Sequence, residues 1–236
     1  FEATPKQDFS MEVICAENNI YKGRLFTDEQ CKQISRMAEY SAYYGVKAGT
    51  VGAGWTDQIY TLTAQHMKCK DVPGLLQTTK HTFDQLKQEL YSLFPGIREG
   101  SIVFENENEP HLVKYNGKAK GTQLHTDNSE YVYITLNAVL SAEDDFTGGG
   151  TYITAIDKTI RLKQGEMLIH LGDLEHAGAD ITSGVRNLLI CFYACQWKDE
   201  KLNEAKLEQA RDYIPPPPNA DTPPPAAADA PNADTP

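Results

Sequence analysis

The stretch "QLHTDNSEYVYITLN", residues 123–137, sets an imidazole, a carboxylate and several hydroxyls directly ahead of a segment that alternates like a strand. In that register Tyr131, Tyr133, Thr135 and Asn137 share one face, while Val132, Ile134, Leu136 and Ala138 share the other. One side is apolar packing and the other is a hydroxyl-rich wall. His125 and Asp127, at the mouth of this strand, are either ordinary loop residues or two ligands of a metal. A His followed two places on by an acid arises about once by chance among six histidines and 33 acidic residues, so the spacing alone is weak.

From 101 to 195 the chain reads as seven short β-rich runs, "SIVFE", "HLVKY", "YVYITLNAVL", "TYITAI", "TIRL", "MLIHL" and "RNLLICFYAC", with turns between them and no helical pattern. Such runs predict a barrel or sandwich. Two helices precede it. Residues 27–44 open with the capping-box pair Thr27 and Gln30 and stop at Gly45, and residues 73–94 repeat Leu76, Phe83, Leu86, Leu90 and Leu93 at helical spacing. The expected fold is therefore mainly β with flanking helices (α+β), the N-terminal helices packed on one sheet of the barrel. Between the helices, residues 45–60 carry four glycines and one large apolar handle, Trp55, and read as a surface loop or a substrate lid.

The 236 residues, 40% of them apolar, suffice for one sizeable core, placed at 1–213. Residues 214–236 form a Pro/Ala-rich, low-complexity tail in which "PNADTP" occurs twice. It reads as a spacer or as a polyproline II ligand for the chain's own site. With 33 acidic against 22 basic residues the formal charge is -11, which argues against a nucleic-acid partner. Lys114, Lys118 and Lys120 could meet a small anion or simply be solvated. No run approaches the roughly 18 apolar residues of a membrane helix. Phe1 in place of Met implies an N-terminal piece removed, which leaves the compartment open. Five cysteines without a CxxC pair, and no Asn-x-Ser/Thr sequon, lean toward a reducing, cytoplasmic setting. Cys191 and Cys195 share a strand face and read as buried thiols.

A two-histidine, one-carboxylate site needs a His and an acid close together at a strand edge and a second His from a distant strand. His176, after "MLIH" and before the long apolar strand, fits the distant role. His66, His81, His111 and His170 read as structural. In the last strand Arg186, Leu188, Ile190 and Phe192 share a face, which sets a guanidinium at the mouth of an apolar pocket. Its partner is a remote side chain or a ligand carboxylate.

"KYNGKAKGTQLHTDNS" (114–129), "FTGGGTYI" (146–153) and "GEMLIHLGDLEHAGADITSGVR" (165–186) together resemble the catalytic double-stranded β-helix, a cupin-like jelly roll, of the iron(II)- and 2-oxoglutarate-dependent dioxygenases. The match covers about residues 110–196 and falls in the prolyl 4-hydroxylase-like branch, which includes the lysyl hydroxylases. The resemblance implies iron(II) on His125, Asp127 and His176, and 2-oxoglutarate held through its distal carboxylate by Arg186. It also implies that Tyr115, Thr135 and Tyr133 line the cosubstrate pocket, with O2 as oxidant and ascorbate as reductant. Collagen-type enzymes usually carry Lys where this chain has Arg186, so the resemblance fixes cosubstrate better than substrate. The expected activity is hydroxylation of a prolyl residue in a protein or proline-rich peptide. The alternatives are a lysyl or small-molecule hydroxylase, or a metal-containing module that binds proline-rich peptides without turnover.

Overall fold

The computed structural model describes residues 7–47, 54–56, 64–127 and 130–196. Two strands come first, β1 (Glu12–Cys15) and β2 (Ile20–Arg24), followed by α1 (Asp28–Lys47), β3 (Gln65–Lys68) and α2 (Leu75–Leu93). Ten strands follow: β4 (Ile102–Phe104), β5 (His111–Tyr115), β6 (Ile134–Val139), β7 (Phe146–Gly148), β8 (Thr151–Ile153), β9 (Lys158–Ile160), β10 (Glu166–Leu171), β11 (His176–Gly178), β12 (Ile181–Gly184) and β13 (Arg186–Cys195).

α1 begins as its sequence dictates. Thr27 Oγ1 accepts from the Gln30 amide at 3.2 Å, and Gln30 Oε1 accepts from the Thr27 amide at 2.8 Å, so two orphan donors of the first turn are satisfied reciprocally. The helix does not stop at Gly45 as expected but runs to Lys47. A glycine near a helix end costs only about 1 kcal/mol against alanine, too little to end the helix by itself. α2 buries Leu75, Phe83, Leu86 and Leu90 along one stripe.

One antiparallel sheet of eight strands runs β1-β2-β10-β6-β13-β5-β3, with β4 also pairing β13. Its two faces do different work. Leu112, Leu136, Ala138, Met167, Leu189 and Cys191 face the helices and form one core with Ile34, Leu86 and Leu90. Val113, Tyr115, Val139, Leu168 and Leu188 face the other way and pack with Leu162 and with Ile153 and Ile181 from two smaller sheets, β11-β8-β9 and β12-β7. Each buried Leu or Ile contributes some 1.5–3 kcal/mol. The expected jelly roll with helices on one sheet is the observed architecture, and the space between the larger sheet and the smaller ones is where the polar residues gather. All five cysteines are free thiols.

Candidate metal centre

Two backbone arrangements bring the predicted ligands together. His125 N donates to His176 O and His176 N to His125 O, each at 2.9 Å, an isolated antiparallel bridge that closes the barrel wall. Asp127 N then donates to Gly172 O at 2.9 Å, which carries the carboxylate to the same spot. One ligand atom from each of His125, Asp127 and His176 lies within 4.8 Å of the others. Asp127 Oδ1 is 3.6 Å from His125 Nε2, and Asp127 Oδ2 is 3.6 Å from His176 Nε2.

The tautomers suit a cation. His125 Nδ1 faces Gln123 O at 2.7 Å and His176 Nδ1 faces Leu174 O at 2.9 Å. A carbonyl accepts only, so each ring carries a hydrogen on Nδ1 and turns Nε2 toward Asp127, as the atom that would bind a cation. Thr135 Oγ1 donates to Asp127 Oδ2 at 2.7 Å and fixes the carboxylate. Burial works to raise the pKa of Asp127, but the hydrogen bond from His125, the charge of His176 and the Thr135 hydroxyl outweigh it and hold the pKa below the ordinary value. His125 is raised in turn, chiefly by its hydrogen bond to Asp127. The donor set, two imidazoles and one anionic carboxylate with one ring still exposed, fits a divalent first-row metal that keeps open coordination positions.

Arg186 marks the other end of the site. It is 1% exposed, and Nη1 donates to Gly150 O at 3.2 Å. Its buried Nε has no partner, and no carboxylate among the described residues pairs with it. Burial lowers its pKa from the ordinary value. Tyr115 and Phe146 flank the guanidinium, with ring centroids 5.9 and 6.0 Å away. A buried cation without an anion is costly, and a ligand carboxylate would complete it. β11 links the two ends: Gly178 lies two residues after His176, and Ala179 N donates to the Gly150 carbonyl that Arg186 also holds. That step of three residues spans about 10 Å along an extended chain.

Tyr115 and Thr135 lie on the interior face as expected; Tyr133 does not. It precedes β6, and its ring packs edge-on against Phe94, 6.5 Å between centroids, beside the helix-side core. The alternation expected from Tyr131 onward holds only from Ile134, where pairing begins, and Tyr131 is exposed. Trp55 is half-buried against the helix-side core with Lys114 Nζ 4.3 Å over its ring, and Lys114 also pairs with Glu39. Lys114 is therefore not part of a free anion patch. Apart from Gly54 to Thr56 and the end of α1, the expected lid lies outside the described residues, as does the tail.

Three contributors escape a reading of the sequence. Thr122 Oγ1 accepts from Gly178 N at 2.6 Å and hydrogen-bonds Tyr115, and a Cβ at 178 would sit 3.0 Å from Thr122 Oγ1 and 3.2 Å from the Tyr115 hydroxyl. Gly149 lets the chain cross Arg186, at φ +72° with a Cβ position 3.3 Å from Arg186 Cδ. The small residue in "HAG" and the run "TGGG" were the available signals. His170, read as structural, is fully buried, and its ring lies 4.6 Å from that of His176. Of the remaining histidines, His111 Nδ1 meets buried Glu109 at 3.0 Å and packs 5.6 Å from the His66 ring, while His81 contacts Gln85 on the surface of α2. His66 belongs to β3.

No family model and no curated protein matches this chain. Solved structures do. A viral collagen prolyl hydroxylase from Paramecium bursaria Chlorella virus-1, in complex with 2OG, superposes with a TM-score of 0.54 at 17% identity, covering 77% of this chain and 98% of the other. This chain shares the fold of that protein. A prolyl hydroxylase from Trichoplax adhaerens, in complex with a peptide fragment of the hypoxia inducible factor oxygen degradation domain, superposes with a TM-score of 0.50 at 13% identity, covering 80% and 87%.

Proposed function

We propose that this chain is an iron(II)- and 2-oxoglutarate-dependent dioxygenase that hydroxylates a prolyl residue in a protein or peptide. The observation that carries the proposal is the pairing of a His125–Asp127–His176 donor set with the buried, acid-free guanidinium of Arg186 at the far end of the same barrel. When bound, iron(II) supplies the redox chemistry that couples decarboxylation of 2-oxoglutarate, to succinate and CO2, with insertion of one oxygen atom from O2 into a substrate C–H bond.

The protein's own residues do the placing. His125, Asp127 and His176 would hold the metal, with Nδ1 of both rings fixed by backbone carbonyls and Asp127 fixed by Thr135. Arg186 would orient the distal carboxylate of the cosubstrate through its planar fork, while Tyr115, held through Thr122, closes the wall beside it. The apolar lining of Val113, Val139 and Leu188 excludes water from the chamber. Ascorbate, as the reductant that keeps iron in the ferrous state, belongs to the same proposal. So does closure of residues 45–60 over the substrate, with Trp55 as anchor.

The prolyl assignment is supported by the two similar folds, both prolyl hydroxylases and one bound to a peptide. The tail from Pro215 onward has the composition of such a peptide and is proposed as a tethered ligand. The test is to incubate the protein with iron(II), ascorbate, 2-oxoglutarate and a panel of proline- and lysine-containing peptides, followed by mass spectrometry of peptides and intact protein. Gain of one oxygen on proline, dependent on 2-oxoglutarate, is expected. Oxygen gained only on lysine would transfer the assignment to a lysyl hydroxylase, and metal binding without any 2-oxoglutarate consumption would leave a binding module.

A further inference from the structure

His170 and Asn137 are diagonal neighbours on the interior face of the larger sheet. In the antiparallel pairing of β10 with β6, His170 stands opposite Thr135 and Leu168 opposite Asn137, which sets the His170 and Asn137 Cα atoms about 7–8 Å apart. Thr135 is the residue whose hydroxyl holds Asp127, and the His170 ring meets the His176 ring at 4.6 Å and 61°. His170 therefore sits directly behind the triad, and Asn137 lies one diagonal step further along the same face of the sheet.

Their unpartnered atoms are both acceptors. His170 Nδ1 faces the Leu171 carbonyl at 2.8 Å, so the hydrogen is on Nδ1 and Nε2 carries a lone pair. Neither that Nε2 nor Asn137 Oδ1 has a hydrogen-bond partner, although His170 is 0% and Asn137 5% exposed. Buried polar atoms are almost always satisfied, and the exceptions mark a function or a water site. An apolar side chain would fill position 170 without the cost of an unmatched acceptor. His170 is not a fourth ligand: the cluster of ligand atoms within 4.8 Å contains His125, Asp127 and His176 only.

Two acceptors on adjacent strands match a donor that brings two hydrogens, and a water molecule is the smallest such group. With both hydrogens directed at the sheet, its oxygen lone pairs point away from it, an orientation that suits a cation. We propose that His170 and Asn137 are positioning residues for the metal centre, which together accept the two hydrogens of one water molecule and turn its oxygen to the metal position. The proposal rests on the metal reading of the triad and not on the choice of cosubstrate or substrate.

The test uses the full chain, His170→Leu, His170→Gln and Asn137→Leu. The readouts are the melting temperature of the metal-free protein, Mn(II) affinity, and the number of exchangeable waters on Mn(II) from water-proton relaxation. His170→Leu is expected to be at least as stable as the wild type, since it removes an unmatched buried acceptor. It should bind Mn(II) about 10-fold or more weakly and lose one exchangeable water. His170→Gln, which keeps an acceptor, restores most of both, and Asn137→Leu moves both in the direction of His170→Leu. A His170→Leu protein with unchanged affinity and water count overturns the proposal, whatever its melting temperature. Should that variant fail to fold, Asn137→Leu decides on the same readouts. A wild-type protein that binds no Mn(II) overturns both the triad and this inference, whereas one that binds Mn(II) but never 2-oxoglutarate sinks the dioxygenase reading alone.

Discussion

His125 and His176 are joined by two backbone hydrogen bonds of 2.9 Å, one in each direction, although they lie far apart in the chain. The two imidazoles are thus held side by side, centroids 4.5 Å apart and rings tilted by 47°, by the main chain and not by their own side chains. Any side chain except proline can stand at positions linked in this way without breaking the link. On the proposed reading the three side chains are grouped by the backbone without help from a metal, and each can be replaced with the barrel intact.

Asp127→Ala is the sharpest such removal. The Asp127 amide bonds Gly172 through the backbone, so far-UV circular dichroism should be unchanged, while Mn(II) affinity falls by about 100-fold or more. Asp127→Glu, which displaces the oxygen by about one methylene, should lose less. Near-normal metal binding by the alanine variant would remove Asp127 from the ligand set.

Arg186→Lys keeps the charge and loses the planar fork. The affinity for 2-oxoglutarate should weaken by about 10–100-fold, some 1.4–2.8 kcal/mol, with metal affinity unaltered. Calorimetric titration of the Mn(II)-loaded protein reads both numbers. Equal 2-oxoglutarate affinity in variant and wild type would make Arg186 a structural residue held by Gly150.

Acid should destabilise the metal-free protein in a defined window. Burial, first, and a neighbouring histidine, second, lower both His66 and His170 to about 4. Each is neutral in the fold and takes up a proton near pH 6.5 once unfolded, so the unfolded state binds more protons between these values. Stability is complete above pH 6.5 and declines as pH falls toward 4, by about 3 kcal/mol per histidine. Urea unfolding from pH 7 to pH 4 measures the loss, and His66→Phe should remove its share. A flat profile would mean that these rings are not held neutral by burial.

Closure of residues 45–60 predicts protease protection. Cleavage in this segment should slow when 2-oxoglutarate, an inert metal and a substrate peptide are present together, and Trp55→Ala should abolish the protection. Identical cleavage with and without the ligands would count against a lid.

The sequence pointed to the barrel and to the grouping of His125, Asp127 and His176 more clearly than to the strands that open the chain. His125, Asp127, His176 and Arg186 were legible because each is a polar group where a strand should be apolar, and the order of motifs restricted the alternatives. β1, β2 and β3 were not, since "EVIC", "IYKGR" and "QHMK" are short and mixed in polarity, and they become strands only by pairing with each other or with β10 and β5. Tyr133 was misplaced because alternation says nothing about where a strand begins. His170 was set aside because a buried histidine on an apolar run is usually satisfied, and only the register opposite Thr135 shows which side of the sheet it faces.

The measurement that tests the central claim most directly is succinate formation from 2-oxoglutarate by the purified protein with iron(II), ascorbate and O2, compared with the His176→Ala variant. The wild type should release succinate and CO2 in equal amounts, and the variant should release neither while retaining the same circular dichroism spectrum. A folded, iron-loaded wild type that binds 2-oxoglutarate no better than the variant, and forms no succinate with any peptide of the panel, would contradict the assignment of His125, Asp127, His176 and Arg186 to one catalytic centre.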